Sequence, residues 1–284
     1  MLVILYKYIV LLAFSVICSP VFSQSDSILY SFFVAGHTYG HPENHQSGLY
    51  PPFLKEIDSI NNNKHIELGV LTGDIVPEPT DNYLNSAKQN ISQFNVPVYV
   101  AAGNHDISPG FKDRFGDYYF SFIHKNDLFI ILTPSLDKWN ISGEQKDFLI
   151  KTLEKDHKNV DNVFIFLHEL IWWSPENEFR NIEINYRPHY PGKTNFHDEI
   201  EPLLKKIPNN IVIFAGDLGC TDKVSAYMYY KYDNITLVAS GMGGGVNDNY
   251  IVVNVLKNRT LNYELVALQG NRKRLGRIEN FDLP

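Results

Sequence analysis

Five apolar segments in this sequence are each followed, within two residues, by glycine or by a side chain that can bind a metal ion. Their short length and their alternation with helical patterns predict strands of a layered α/β domain. In such domains, ligands bind at the loops beyond the carboxyl ends of the strands, which meet in space. Five such endings in one chain therefore indicate a single site. The segments cover residues 28–35, 66–71, 96–101, 163–167 and 211–215.

The side chains at these endings are of the types that bind divalent metals, namely imidazoles, carboxylates and an amide. Each is weak evidence alone, because a Gly-Asp pair usually forms a turn and a single His usually lies in a core or on a surface. Their recurrence at consecutive strand ends is what predicts a metal centre. In chain order, the candidate residues are His37, His41, Asp74, Asn104, His105, Asp106, His168 and Asp217.

The rest of the chain fits the same architecture. Helical patterns at 53–60, 83–94 and 196–204 separate the strands, and a hairpin is predicted over 118–122 and 128–132. Ser142 and Gln145 have the spacing of a capping box at the start of another helix. From residue 226 onward strands dominate, which predicts a sheet packed on a sheet.

Charge and length exclude some functions. The chain has 284 residues with 25 Lys and Arg against 32 Asp and Glu, a formal charge of −7. That length can bury the core of one domain. Nucleic-acid binding requires clustered basic residues, so no nucleic-acid partner is expected. A small anionic substrate is still compatible, because a bound metal dominates the field of its site.

The first 23 residues predict an export signal. Lys7 is the only charge before Asp26, an apolar stretch follows it, and Val21-Phe22-Ser23 matches a cleavage site. Cleavage would leave a single domain over residues 24–284, exported to a bacterial periplasm or beyond, with no stable membrane insertion. An uncleaved signal would instead anchor the protein to the membrane.

The ordered motifs resemble the calcineurin-like metallophosphoesterase superfamily. The resemblance rests on Gly73-Asp74, on Gly103-Asn104-His105-Asp106 and on His168, with Gly-Asn-His-Asp as the most specific element. It implies an α/β fold, a four-layer α/β/β/α sandwich of two mixed β-sheets flanked by helices. It also implies a site for two divalent metal ions.

The resemblance assigns a role to each matching residue. Asp74 corresponds to the carboxylate that bridges both metals, and Asn104 and His168 correspond to ligands of the second metal. His105 corresponds to the catalytic histidine, which protonates the leaving oxygen or steadies the charge of the transition state. Asp106 would orient the imidazole of His105, as carboxylates behind functional histidines do.

Two motifs depart from the family pattern. His37-Thr38-Tyr39 stands where the family has Asp-x-His, and Gly216-Asp217-Leu218-Gly219 stands where it has Gly-His-x-His. The second metal position keeps Asp74, Asn104, His168 and Asp217, so one firmly held metal is expected. The first position keeps Asp74 and His37, with Tyr39 as a candidate phenolate, and is left open. These ligands do not distinguish Mn, Fe and Zn.

His41 and Cys220 could compensate for the lost ligands of the first position. The alternative for His41 is an ordinary loop histidine, and the alternative for Cys220 is a buried free thiol. A thiolate ligand would favour a softer metal such as zinc.

Three functions follow from these observations. The first is an exported phosphoesterase that hydrolyses a phosphomonoester or phosphodiester, of a small molecule, glycan or lipid, by metal-activated water. Retention of His105 and Asp106 favours it. The alternative is an inactive protein that keeps the fold and binds an extracytoplasmic glycan or partner, which the lost ligands favour. The third is other metal-assisted chemistry on a surface polysaccharide or lipid precursor.

A long segment between residue 168 and the helix at 196 is also expected to contribute to function, because long irregular segments are often functional. The cationic side chains of this segment could hold an anionic substrate. Its histidines are expected on the surface or in a substrate-binding loop. Its tryptophans could line the cleft or pack in the core. Glu169 is expected to point away from the site. The residues concerned are Trp172, Trp173, Arg180, Arg187, His189, Lys193 and His197.

Overall fold

Two β-sheets pack face to face at the centre of this computed structural model, which describes residues 27–44 and 46–284. Within those residues, the strands in chain order are β1 (Ile28–Gly36), β2 (Ile66–Thr72), β3 (Val98–Ala101), β4 (Phe120–His124), β5 (Asp127–Ile131), β6 (Asn162–Phe166), β7 (Asn210–Ala215), β8 (Tyr227–Tyr232), β9 (Ile235–Ser240), β10 (Asn249–Leu256) and β11 (Leu261–Ala267).

Both sheets are mixed. The first has the order β11-β10-β1-β2-β3, in which β1, β2 and β3 run parallel and β10 and β11 run antiparallel to their neighbours. The second has the order β4-β5-β6-β7-β9-β8, with parallel central strands and antiparallel edge strands. In each sheet the parallel strands therefore end at one common edge.

Helices cover the outer faces of the two sheets. In chain order they are α1 (Pro51–Leu54), α2 (Ile57–Asn62), α3 (Asp81–Ile91), α4 (Pro109–Phe115), α5 (Gly143–Asp156) and α6 (Glu201–Leu204), the last preceded by a π-helical turn over Phe196–Ile200. Buried side chains of α1 to α4 pack on the first sheet, and those of α5 and α6 pack on the second.

Phenylalanines fill the space between the sheets. Phe32 of β1 meets Phe129, Phe164 and Phe214 of the second sheet at ring-centroid distances of 5.2, 4.9 and 6.1 Å. Burial of aromatic side chains on both inner faces makes this interface the central core. The predicted α/β/β/α sandwich of two mixed sheets is confirmed.

Two local predictions are wrong. The helix expected over 53–60 is interrupted and forms α1 and α2. Ser142 and Gln145 form no capping box, because both side chains bind elsewhere. Ser142 Oγ donates to Asp137, and the buried Gln145 exchanges hydrogen bonds of 2.6 and 3.2 Å with the backbone of Thr133.

The predicted export signal at residues 1–23 lies outside the described residues. Over the part of the chain that the structure does describe, no helix has the length and apolar character that a membrane crossing requires. Export and cleavage therefore stay predictions.

Candidate active site

The loops that follow β1 and β2 hold His37 and Asp74 in an unusual backbone conformation. Their φ angles are +51° and +50°, in the left-handed region that few residues other than glycine adopt. Such strain persists only where the surrounding structure imposes it, and it concentrates at functional sites. Here it directs two buried polar side chains toward each other at the edge of the first sheet.

Asp74 is the centre of a buried cluster of charged groups. Its Oδ2 atom lies 3.1 Å from His168 Nε2 and 3.7 Å from His37 Nε2. His168 Nε2 also lies 3.7 Å from Asp217 Oδ1. The cluster thus joins the ends of β1, β2, β6 and β7, which belong to both sheets. Gly103 leaves room for it, because a Cβ at that position would lie 2.2 Å from Asp74 Oδ1.

The hydrogen bonding of His168 fixes which of its nitrogens can bind a cation. Its Nδ1 lies 2.9 Å from the carbonyl oxygen of Thr72, which can only accept, so Nδ1 carries a proton. Nε2 is buried, and it faces the carboxylates of Asp74 and Asp217. In the neutral imidazole this nitrogen presents a lone pair to two anions. That arrangement requires a positive charge between them.

The pKa values of His168 and His37 also show that the cluster holds a positive charge at His168. Burial lowers the pKa of His168, but Asp74 and Asp217 outweigh burial and raise it well above its usual value. Burial lowers the pKa of His37 to about 4, so that imidazole is neutral. Without a metal ion the cluster therefore holds a proton on His168, and a cation that binds there must displace this proton.

The donors of the cluster suit a divalent metal. Ligand atoms about 2.1 Å from a metal lie about 3.0–3.4 Å from one another in tetrahedral or octahedral geometry. The separations of 3.1 and 3.7 Å are close to this range. Residues 27–44 and 46–284 contain no group of three or more His, Cys, Asp and Glu side chains already arranged as a metal cage. Metal binding would therefore require small side-chain movements.

His105 and Asp106 have different partners from those expected. His105 Nδ1 lies 2.7 Å from the carbonyl oxygen of Pro77, which orients the imidazole. Asp106 is fully buried, and its carboxylate accepts backbone N–H groups of Gly103, Ile75 and Val76 at 2.8, 3.0 and 3.3 Å. The prediction that Asp106 orients His105 is wrong. Its carboxylate instead ties the loop after β2 to the loop after β3.

Replacement of Asp106 by alanine should therefore reduce stability. Three buried N–H groups lose their acceptor, and each unsatisfied group costs about 1–3 kcal/mol, so we expect a loss of about 3 kcal/mol or more. Urea unfolding measures it. Asp113→Ala, at an exposed position of α4, should change the unfolding free energy by less than about 0.5 kcal/mol. Equal effects of the two substitutions would contradict this role of Asp106.

Three members of the cluster, His37, Asp74 and Asp217, line a cleft of about 390 Å³, and His168 is fully buried outside this lining. The cleft brings together most of the candidate residues, with Asn104 exposed at its edge and His105 half-buried. It also contains Asn185 and Tyr186, which sequence reasoning missed, and His189. The one sequence signal for these residues is the length of the irregular segment that contains them. The lining residues are His37, Tyr39, Pro42, Asp74, Asn104, His105, Asn185, Tyr186, His189, Asp217 and Cys220.

Gly219 explains why the last family imidazole is missing. Its φ is +75°, and a Cβ there would lie 2.5 Å from the carbonyl carbon of Gly241 and 2.9 Å from the nitrogen of Met242. A histidine cannot occupy this position without displacement of the loop after β9. The position for which the family resemblance implies an imidazole therefore has no space for a side chain.

The candidates for compensation differ in their surroundings. The ring of Tyr39 packs between His37 and His105, with centroids 4.4 and 5.4 Å away, and burial raises the pKa of its hydroxyl. Burial also raises the pKa of the Cys220 thiol to about 12. His41 faces a separate surface cavity, where its Nδ1 accepts the backbone N–H of Glu43 at 3.0 Å. Their roles as ligands stay predictions.

The remaining sequence candidates lie outside the cleft. Trp172 and Trp173 are buried in the core. Three of the polar candidates have partners on the same segment or on the helix after it: Arg187 pairs with Glu183, Lys193 with Asp198, and His197 with Glu201. Arg180 is exposed, and Glu169 lines a neighbouring cavity.

Comparisons with known proteins agree with this geometry. The chain matches the family model of calcineurin-like phosphoesterases over residues 37–241. A search of curated protein sequences finds no match. Among solved structures, a purple acid phosphatase from yellow lupin (Lupinus luteus) is similar, with 14% identity and a TM-score of 0.58 over 84% of this chain and 51% of that one.

The likeness to the lupin enzyme concerns the fold, and this chain spans about half the length of that enzyme. A predicted phosphoesterase from Streptococcus pneumoniae is also similar, with 10% identity and a TM-score of 0.39 over 86% of this chain and 92% of that one. The family model includes every strand end that contributes to the buried cluster. The chain belongs to the calcineurin-like phosphoesterase family.

Proposed function

We propose that the protein is an exported, metal-dependent phosphoesterase with an altered metal site. The observation that carries this proposal is the buried Nε2 of His168, which faces the carboxylates of Asp74 and Asp217 at 3.1 and 3.7 Å. Both carboxylates line a cleft that also contains His105. Two buried carboxylates around one imidazole nitrogen require a positive charge, which is the proton of His168 in the metal-free protein and would be the metal ion in the loaded protein.

Asp74, His168 and Asp217 are the residues that would hold the metal, with Asn104 at the edge of the cleft as a further oxygen ligand. A divalent metal bound there would activate a water molecule and neutralise charge on the phosphoryl oxygens. Mn, Fe and Zn all accept this set of imidazole and oxygen ligands. His37 and Tyr39 lie where a second metal would bind.

His105 would supply the proton for the leaving oxygen. The carbonyl of Pro77 keeps one proton on Nδ1, so the second proton of the imidazolium is on Nε2. This proton can pass to the oxygen that departs from phosphorus. The main-chain N–H of His105 donates to Asp74 Oδ1 at 3.2 Å. The backbone of the proton donor is therefore hydrogen-bonded to a residue that would hold the metal.

An inactive binding protein is the second candidate function. The loss of space at Gly219 favours it, because the first metal position cannot regain its imidazole there. Its ligand would be an extracytoplasmic glycan or a partner protein. The retained cluster around Asp74 and the oriented His105 favour the enzyme instead.

A phosphoester assay with metal removal tests the proposal. The purified protein is treated with a chelator and then supplied separately with Mn²⁺, Fe²⁺ or Zn²⁺. p-Nitrophenyl phosphate and bis(p-nitrophenyl) phosphate are the probes. We expect hydrolysis of at least one ester, its loss on chelation, and its recovery with one of the metals. Absence of turnover under every condition would contradict the proposal and favour the binding protein.

A further inference from the structure

A second cavity of about 380 Å³ opens beside the cleft and shares two residues with it, Asn104 and His189. A substrate whose phosphoryl group lies at the Asp74 cluster could therefore extend into this cavity. Its lining combines charged, hydroxyl and aromatic groups. The lining residues are Asn104, Ser135, Lys138, Trp139, Glu169, Pro188, His189, Tyr190 and Pro191.

Glu169 is the unusual member of this lining. Its side chain is fully buried, and one carboxylate oxygen accepts the hydroxyl of Ser135. The other oxygen, Oε2, has no hydrogen-bond partner. An unsatisfied buried carboxylate oxygen is costly, and a hydrogen-bond donor from outside the chain, either an ordered water or a ligand, can satisfy it. Glu169 Oε2 is therefore open to a hydrogen bond from a bound molecule.

Lys138 places a positive charge at the rim of this cavity. Lys138 and Trp139 have consecutive left-handed φ angles of +48° and +68°, which only a strongly constrained loop maintains. Lys138 is exposed, and among the described residues its ammonium group has no ion pair. Trp139 packs edge-on against Tyr190 at 5.8 Å and forms an aromatic wall.

We infer that this cavity binds the leaving alcohol of the phosphoester, and that this alcohol is neutral and carries further hydroxyl groups. The inference rests on the proposed function. An anionic group would meet Glu169, and a cationic group would meet Lys138, so a neutral group is favoured. A hydroxyl can donate to Glu169 and accept from Lys138, and the carbon skeleton of a polyol can pack on Trp139.

A matched pair of substrates tests this inference. Glycerol 1-phosphate and n-propyl phosphate have leaving groups of the same carbon number and differ in two hydroxyls. We expect the metal-loaded protein to prefer glycerol 1-phosphate in kcat/KM by about tenfold or more, because a site that hydrogen-bonds a substrate hydroxyl rejects the analogue without it. Glu169→Gln should reduce this preference about tenfold. Glu176→Gln, at an exposed position of the same segment, should not alter it.

The outcomes separate this inference from the proposed function. Equal turnover of both esters by the unmodified protein, or an unchanged preference in Glu169→Gln, would overturn the inference and leave the phosphoesterase intact. Turnover of no ester would overturn both. If Glu169→Gln does not fold, Ser135→Ala replaces it, and a preference equal to that of the unmodified protein would again overturn the inference.

Discussion

Asp74→Asn should strongly weaken metal binding and, with it, lower phosphoester turnover. The Asp74 carboxylate contacts both His168 and His37 and also accepts the main-chain N–H of His105. An amide at this position removes the anion that faces both imidazoles. Loss of one partner from a buried charged group costs about 3–5 kcal/mol, and an equal loss of metal-binding free energy corresponds to a fall in affinity of about 10²- to 10⁴-fold.

Calorimetric titration of the chelated protein with Zn²⁺ or Mn²⁺ measures this affinity, and elemental analysis measures the retained metal. Asp222→Asn is the matched control, because Asp222 is exposed and lies outside the lining of the cleft. It should bind metal as the unmodified protein does. A full metal load in Asp74→Asn would show that Asp74 is not a ligand.

His105→Ala should lower kcat by about 10²- to 10⁴-fold without loss of metal, since that is the usual contribution of a positioned general acid. The side chain of His105 binds the carbonyl of Pro77, and only its main-chain N–H contacts Asp74. Alanine keeps this N–H, so the metal site should stay intact. His65→Ala, at an exposed histidine remote from the cleft lining, should have full activity.

A comparison of two leaving groups distinguishes proton donation by His105 from stabilisation of charge. A proton donor matters most when the departing oxygen is strongly basic, so the loss in His105→Ala should be larger for an alkyl phosphate than for p-nitrophenyl phosphate. An equal loss for both esters, with unchanged metal content, would mean that His105 stabilises charge without giving up a proton. Undiminished turnover would exclude it from catalysis.

The sequence predicted those features that depend on strand ends. Asp74, His168 and Asp217 follow apolar strands, and ligands of layered α/β domains bind at the loops beyond the carboxyl ends of strands, so their proximity could be expected from the sequence. That these strands belong to two different sheets could not. The two-sheet sandwich followed from the same alternation together with the family resemblance. Short apolar segments and the glycines that follow them are local signals, so they can be read from the sequence alone.

Features that depend on tertiary contacts could not be predicted. Two of the three main-chain N–H groups that Asp106 accepts belong to the loop after β2, and no residue pattern indicates where they point. The contact between Gln145 and the backbone of Thr133 is also a tertiary contact, so the sequence does not show it. Asn185 and Tyr186 lie on a segment without periodicity, so nothing in their sequence placed them in the cleft. The obstacle to a side chain at Gly219 comes from the loop after β9.

The central claim is that the Asp74, His168 and Asp217 cluster holds a divalent metal. The most direct test is elemental analysis of the purified protein, repeated after chelation and incubation with Mn²⁺, Fe²⁺ or Zn²⁺ and removal of the excess metal. We expect about one tightly held metal ion per chain, because the proposal assigns four ligands to one position and no complete set to the other. A protein that contains no divalent metal as purified, and retains none after incubation, would contradict the account.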